Sequence, residues 1–167
     1  PDELLSHVLV GQGDLWIGHT EGFAMSRKRG APVQILAFTS ARKFFIITST
    51  GAKTWKDLSG ATAGYAPPGS PSVPLLEKIM SSTGVKLTLQ PYQGRELALM
   101  VSSGRMNTAI LPEPLVSMFL SRYKNLRLIA NVEELFTETM DYPGILPVAG
   151  IAVNELTARR YPDRIAK

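Results

Sequence analysis

One ordered series of elements occurs twice along the chain, and this duplication restricts the possible folds more than any other feature. Displacing the sequence by 93 positions aligns Glu3 with Glu96, Leu4 with Leu97, Val8 with Val101 and Gly11 with Gly104. The same offset aligns Ile17 with Ile110, Met25 with Met118, Arg29 with Arg122 and Ala37 with Ala130. Eight identities over about 35 gapless positions exceed the roughly two or three that composition alone gives. Each copy reads helix, glycine, strand, loop, helix, strand, which predicts two lobes built on one plan.

Between and beyond the copies the pattern keeps alternating. Apolar spacing predicts helices over about 2–10, 21–29, 73–83, 95–103, 115–123 and 132–138, and a last one from Glu155. Strands are expected at 14–18, 33–39, 44–48, 61–65, 86–90, 108–111, 126–130 and 146–153. Phe44-Phe45-Ile46-Ile47 is a continuous apolar run, the mark of a strand buried on both faces. Thr54 followed three residues later by Asp57 reads as a short capped turn, and Thr20 as the N-cap of the second helix. Alternation of this kind argues for an α/β fold with parallel-rich sheets flanked by helices. The expected divisions are 1–59 for part of lobe 1, 60–144 for lobe 2 and 145–167 for a return crossing to lobe 1.

The 167 residues suffice for one sizeable domain or two small lobes, and no apolar stretch approaches the roughly 20 residues that span a bilayer. With no cysteine, disulfides, thiolate nucleophiles and zinc–thiolate sites are excluded. The net charge of +4 is scattered; its one cluster, Arg27-Lys28-Arg29, falls where a helix ends and complements the dipole there. That pattern argues against nucleic acid as a partner, while a basic chain still mildly favours an anionic ligand. The two histidines, His7 and His19, fit no defensible Ser-His-acid order, and neither metal-ligand spacing nor a phosphate-binding glycine loop is present. The expectation is therefore no catalytic residue, no metal and no cofactor.

Ligands of parallel α/β sheets bind beyond the carboxyl ends of the strands. Residues 67–72 join a strand to a helix there, so the hydroxyls of Ser70 and Ser72, with Pro71 between them, are expected to face outward against the positive end of a helix dipole. The bland reading is a proline-rich turn with Ser72 as N-cap. Glu113 stands between two prolines at another strand end. Its carboxylate either meets a cationic or amine-bearing ligand, forms a salt bridge, takes part in lobe closure, or serves the following helix as a dipole-favoured acid. His19 and Thr20 occupy the equivalent rim of the first copy. Ser40 and Arg42 follow a strand, with Arg42 able to pair an anion bidentately, and Tyr92 can stack on a ring or donate a hydrogen bond. Trp16 is expected in the core, and Tyr142 as a cleft wall in a hinge-side turn.

Several of these segments resemble one family. Ser103-Gly104-Arg105-Met106-Asn107-Thr108-Ala109-Ile110-Leu111-Pro112-Glu113-Pro114 is similar to the "G-x-x-D-A-A-hydrophobic-x-P-E-P" stretch of periplasmic solute-binding proteins. The branch is that of nitrate, sulfonate, taurine and thiamine-precursor ABC importers. Leu9-Val10-Gly11-Gln12-Gly13-Asp14-Leu15-Trp16-Ile17, Thr54-Trp55-Lys56-Asp57-Leu58-Ser59-Gly60 and Pro68-Gly69-Ser70-Pro71-Ser72 resemble further stretches of it, in the right order. Asn107 departs from the pattern, which has Asp there. The family has a strand–helix–strand unit before the position of Pro1 and more helices after Lys167, so the resemblance implies truncation at both ends.

The resemblance further implies a type II periplasmic-binding-protein fold and capture of a small solute, anionic or heteroaromatic, in an interlobe cleft by lobe closure. It implies an ABC transporter permease as partner, a monomer, no enzyme activity, and a periplasmic or extracytoplasmic location with or without a lipid anchor. Two alternatives share the scaffold. One is an enzyme of the menaquinone-pathway kind, the other the effector-binding domain of a transcription regulator.

Overall fold

The computed structural model describes residues 2–165. Pro1, Ala166 and Lys167, at the outer limits of the expected lobe 1 segments, lie outside the described residues. Contacts divide the chain into unit 1, Pro1–Ala41 with Pro147–Lys167, and unit 2, Arg42–Leu146.

In unit 1, helix α1 (Asp2–Leu9) leads to strand β1 (Leu15–His19), helix α2 (Thr20–Lys28) and strand β2 (Val33–Ser40). In unit 2, strand β3 (Phe44–Thr48) and a 3-10 turn, Trp55–Leu58, precede strand β4 (Thr62–Tyr65), helix α3 (Ser72–Thr83), strand β5 (Thr88–Pro91) and helix α4 (Gly94–Ser102). Strand β6 (Thr108–Pro112), helix α5 (Leu115–Arg122), strand β7 (Arg127–Asn131) and helix α6 (Val132–Thr139) complete it. The chain then returns to unit 1 through strand β8 (Ala149–Asn154) and the short helices α7 (Glu155–Arg160) and α8 (Pro162–Ile165).

The sheet of unit 1 has the order β1-β8-β2, with β8 antiparallel to both neighbours. That of unit 2 has the order β5-β4-β6-β3-β7, in which β4 runs parallel to β5 and β6 while β3 runs against β6 and β7. Strand β3 and the turn after it, expected within 1–59, therefore belong to unit 2, because β3 is hydrogen-bonded between two of its strands. The architecture is mixed α/β, with same-direction strands in the majority in each sheet.

The duplication extends to individual hydrogen bonds. The offset of 93 carries β1 onto β6 and most of β2 onto β7, and in each unit an antiparallel strand lies between the pair. Thr20 N donates to Val148 O at 3.2 Å in unit 1, and its counterpart Glu113 N donates to Lys43 O at 2.9 Å in unit 2. At the other end, Asn154 N donates to Asp14 O at 2.9 Å, and Ser49 N to Asn107 O at 2.8 Å. Asn107 thus holds the place of Asp14 through its backbone, which a side-chain change leaves untouched.

Each unit has its own core. Val8, Trp16, Phe23, Val33 and Ala152 are buried together in unit 1, with Trp16 in the core as expected. Ile47, Leu97, Ala109, Leu111, Val116 and Phe119 are buried together in unit 2. Gly64 lets α4 settle on β4, since a Cβ there would come within 2.5 Å of Leu97 Cδ1. The Trp55–Leu58 turn carries the expected capping box, Thr54 with Asp57, and Asp57 Oδ2 accepts from the amides of Lys53 and Thr54 at 2.9 and 2.8 Å.

A candidate ligand-binding rim

Because β5, β4 and β6 are parallel neighbours, their carboxyl ends emerge along one edge of unit 2, and a helix begins after each. Helices α3, α4 and α5 therefore turn the positive ends of their dipoles toward that edge, an arrangement suited to negative charge. The turns there bring together Ser70, Pro71 and Ser72 after β4, Tyr92 after β5 and Glu113 after β6.

The two serines do not face outward. Ser70 and Ser72 are 2% and 0% exposed, and their hydroxyls share a hydrogen bond of 2.8 Å. Ser72 N donates to Ser70 Oγ at 3.3 Å and Val73 N to Ser70 O at 3.1 Å, so Ser70 satisfies the opening amides of α3. The expectation of outward hydroxyls fails because the turn meets its own hydrogen-bonding needs first. Ser72 is also the first residue of α3, with Pro71 at its N-cap.

Tyr92 is half-buried against the core of unit 2, its N–H donating to Tyr65 O and its hydroxyl to Gln90 Oε1, both at 2.9 Å. Its ring is held by packing and its hydroxyl oxygen keeps acceptor capacity. Glu113 is exposed, and its carboxylate accepts from Ser117 Oγ at 2.8 Å and Ser117 N at 3.4 Å. This is the helix-start role foreseen as one of its readings.

The antiparallel β3 starts at the same edge, since Phe44 pairs with Pro112. This places Lys43 beside Glu113, whose N–H donates to Lys43 O, and Lys43 is not among the residues expected at a site from the sequence. Lys43 is half-buried and has no ion pair among the described residues. Arg42, a candidate anion partner whose other reading is plain surface exposure, is exposed and paired with Glu134. Behind them Glu133, only 2% exposed, accepts from Lys43 N at 3.3 Å, from Phe44 N at 3.2 and 3.3 Å, and from Asn131 Nδ2 at 3.0 Å. Burial pushes its pKa above the usual carboxylate value, opposed by these donors.

Tyr142 is not brought to this edge. Helix α6 leads away from the carboxyl end of β7, and Met140 beyond it meets Ser82 Oγ near the end of α3, 3.9 Å from its sulfur. Tyr142 follows two residues later, 47% exposed, so its expected place as a cleft wall is not supported by its position in unit 2.

In unit 1, His19 and Ser40 both pair with Ala149, which puts the ends of β1 and β2 side by side. His19 is the N-cap of α2 and borders a groove of about 280 Å³ with Leu4, Leu5 and Phe23. Thr20, expected as that cap, is instead the first helical residue; it is buried, and its hydroxyl donates to Pro147 O at 2.7 Å. Ser40 contributes its carbonyl to the return strand, accepting from Val148 N at 2.8 Å.

Sheets of this topology with helix-capped strand ends define the type II periplasmic-binding-protein class. The NMT1/THI5 like family matches residues 1–154, and the chain belongs to that family. No curated protein sequence matches it. Among solved structures, the periplasmic aliphatic sulphonate binding protein SsuA from Escherichia coli is similar, with a TM-score of 0.74 and 16% identity over 98% of this chain and 55% of that one. An ABC transporter protein from Parabacteroides distasonis gives 0.73 and 16% over 99% and 57%. The alkanesulfonate-binding protein SsuA from Xanthomonas axonopodis pv. citri, bound to MOPS, gives 0.63 and 18% over 98% and 55%. The chain thus spans about half the length of these proteins.

Proposed function

We propose that the chain is part of a substrate-binding component of an ABC importer, which captures a small anionic solute and performs no chemistry on it. The observation that carries this reading is the convergence of three helix N-termini at the carboxyl ends of β5, β4 and β6, with Lys43 and Tyr92 on the same edge. Dipoles and the Lys43 ammonium, which lies 5.8 Å from the centroid of the Phe44 ring and has no ion pair among the described residues, favour an anion, and a packed aromatic adds a surface for its apolar part. The partner is the importer's permease and the setting is extracytoplasmic; the Escherichia coli SsuA that the fold resembles is a periplasmic protein.

A thermal-shift screen of the full-length protein against alkanesulfonates, nitrate, amino acids and thiamine precursors tests this. At least one compound should raise the unfolding midpoint, with no turnover of the bound molecule and a smaller shift in Lys43→Ala. The reading fails if nothing in the panel stabilises the protein while DNA or a partner protein does, or if the bound compound is converted.

A further inference from the structure

The helical layers of the two units differ at one pair of equivalent positions. In unit 1, Leu5 of α1 sits over Gly22 of α2, where a Cβ would lie 2.8 Å from Leu5 Cδ2, and the two helices pack closely. The offset of 93 puts Ala98 in the place of Leu5 and Leu115 in that of Gly22. With the bulk moved to the other helix, the backbones of α4 and α5 stand farther apart than those of α1 and α2, and a groove of about 420 Å³ opens between them over the apolar side chains that the two helices share. The groove at the equivalent place in unit 1, between α1 and α2, is smaller, about 280 Å³, and no Lys or Arg lines it.

Ala98, Leu115, Met118 and Phe119 form the apolar lining in unit 2, and Arg95 and Arg122 add two guanidinium groups. Neither arginine has an ion pair among the described residues. Of the acids nearest them in sequence, Glu113 is already engaged by Ser117 and Glu96 points to neither in an ion pair. The Arg122 guanidinium carbon lies 5.6 Å from the centroid of the Tyr123 ring, a stacking that leaves its in-plane donors available to a carboxylate or sulfonate. Met118, 60% exposed, keeps a flexible apolar surface beside them. A volume of this size, mostly apolar with few polar groups, is in the range of small-molecule sites.

We propose that this groove is a second binding site, for a small amphipathic anion. Its apolar body lies along Leu115, Met118 and Phe119, and its acid group is held by Arg122 in the positive potential of Arg95. Lys43, Ser70, Tyr92 and Glu113 do not line the groove, which meets the rim at Gly94, Arg95 and Leu115, where α4 and α5 begin, so the substitutions at Arg122 test it separately from solute capture.

Titration of the isotope-labelled full-length protein with decanoate, followed by amide NMR, tests it. Shifts should concentrate on the residues of α4 and α5 that line the groove, decylamine should bind at least about tenfold more weakly, and Arg122→Ala should weaken decanoate by about tenfold. Arg122→Lys should recover part of the loss. Arg122 is exposed, and an otherwise unchanged spectrum reports that each variant folds. Absence of shifts in α4 and α5, equal binding of decylamine, shifts confined to the turns at Ser70, Tyr92 and Glu113, or indifference to both substitutions would each overturn the proposal.

Discussion

Glu133 shows how much of this chain's organisation rests on a single side chain. Its carboxylate joins the amides that open β3 to the first turn of α6, where Asn131 Oδ1 also accepts from Glu134 N at 2.9 Å. Glu133→Ala would strand those donors in a buried place and should lower stability by about 1–3 kcal/mol, measured by denaturant unfolding. The pH dependence has a definite sign. Since burial raises the folded-state pKa above 4.5, the native protein holds a proton that the unfolded chain releases, and stability falls as pH rises through that interval. Glu133→Gln, which keeps one acceptor and has no charge, should flatten that fall. An unchanged slope in the variant would contradict the assignment. Asp57 works in the opposite direction: amides of Lys53 and Thr54 hold its pKa down, so its contribution is present at neutral pH and lost on acidification. The capping role of Asp57 was legible from its spacing to Thr54. The inward turn of Ser70 and Ser72 was not, because a strand-to-helix loop gives hydroxyls equal reason to serve a ligand or one another.

Strands and helices were located from periodicity to within a few residues, and the buried character of β3 followed from its unbroken apolar run. Direction was not readable: the same pattern of side chains suits a strand pointing either way, so the antiparallel insertion of β8 between β1 and β2 appears only in the coordinates. That insertion depends on Gly150, where a Cβ would lie 2.5 Å from the carbonyl oxygen of Ala37 and 2.9 Å from Thr20 Cγ2. Backbone cannot yield as a side-chain tip can, so Gly150→Ala should cost about 1–3 kcal/mol and Gly22→Ala, which meets only the end of Leu5, less. Trp16 and Trp55 lie in the cores of different units, so fluorescence of Trp16 in a Trp55→Phe background reports on unit 1. Equal midpoints for the two glycine variants would contradict this account of β8.

The two units repeat one plan down to matching hydrogen bonds, and that likeness was visible in eight aligned identities before any coordinates. The chemistry of the rim was only half visible. Tyr92 and Glu113 could be placed at strand ends from sequence, whereas Lys43 needed the knowledge that β3 runs backwards and starts where its neighbours finish. The claim on which function turns is that a solute is gripped by the turns following β4, β5 and β6. Amide hydrogen exchange of the full-length protein, with and without the most stabilising small anion from the screen, tests it most directly. Binding should slow exchange in residues 70–73, 92–93 and 113 and around Lys43, while protection confined to segments away from these turns would contradict the account.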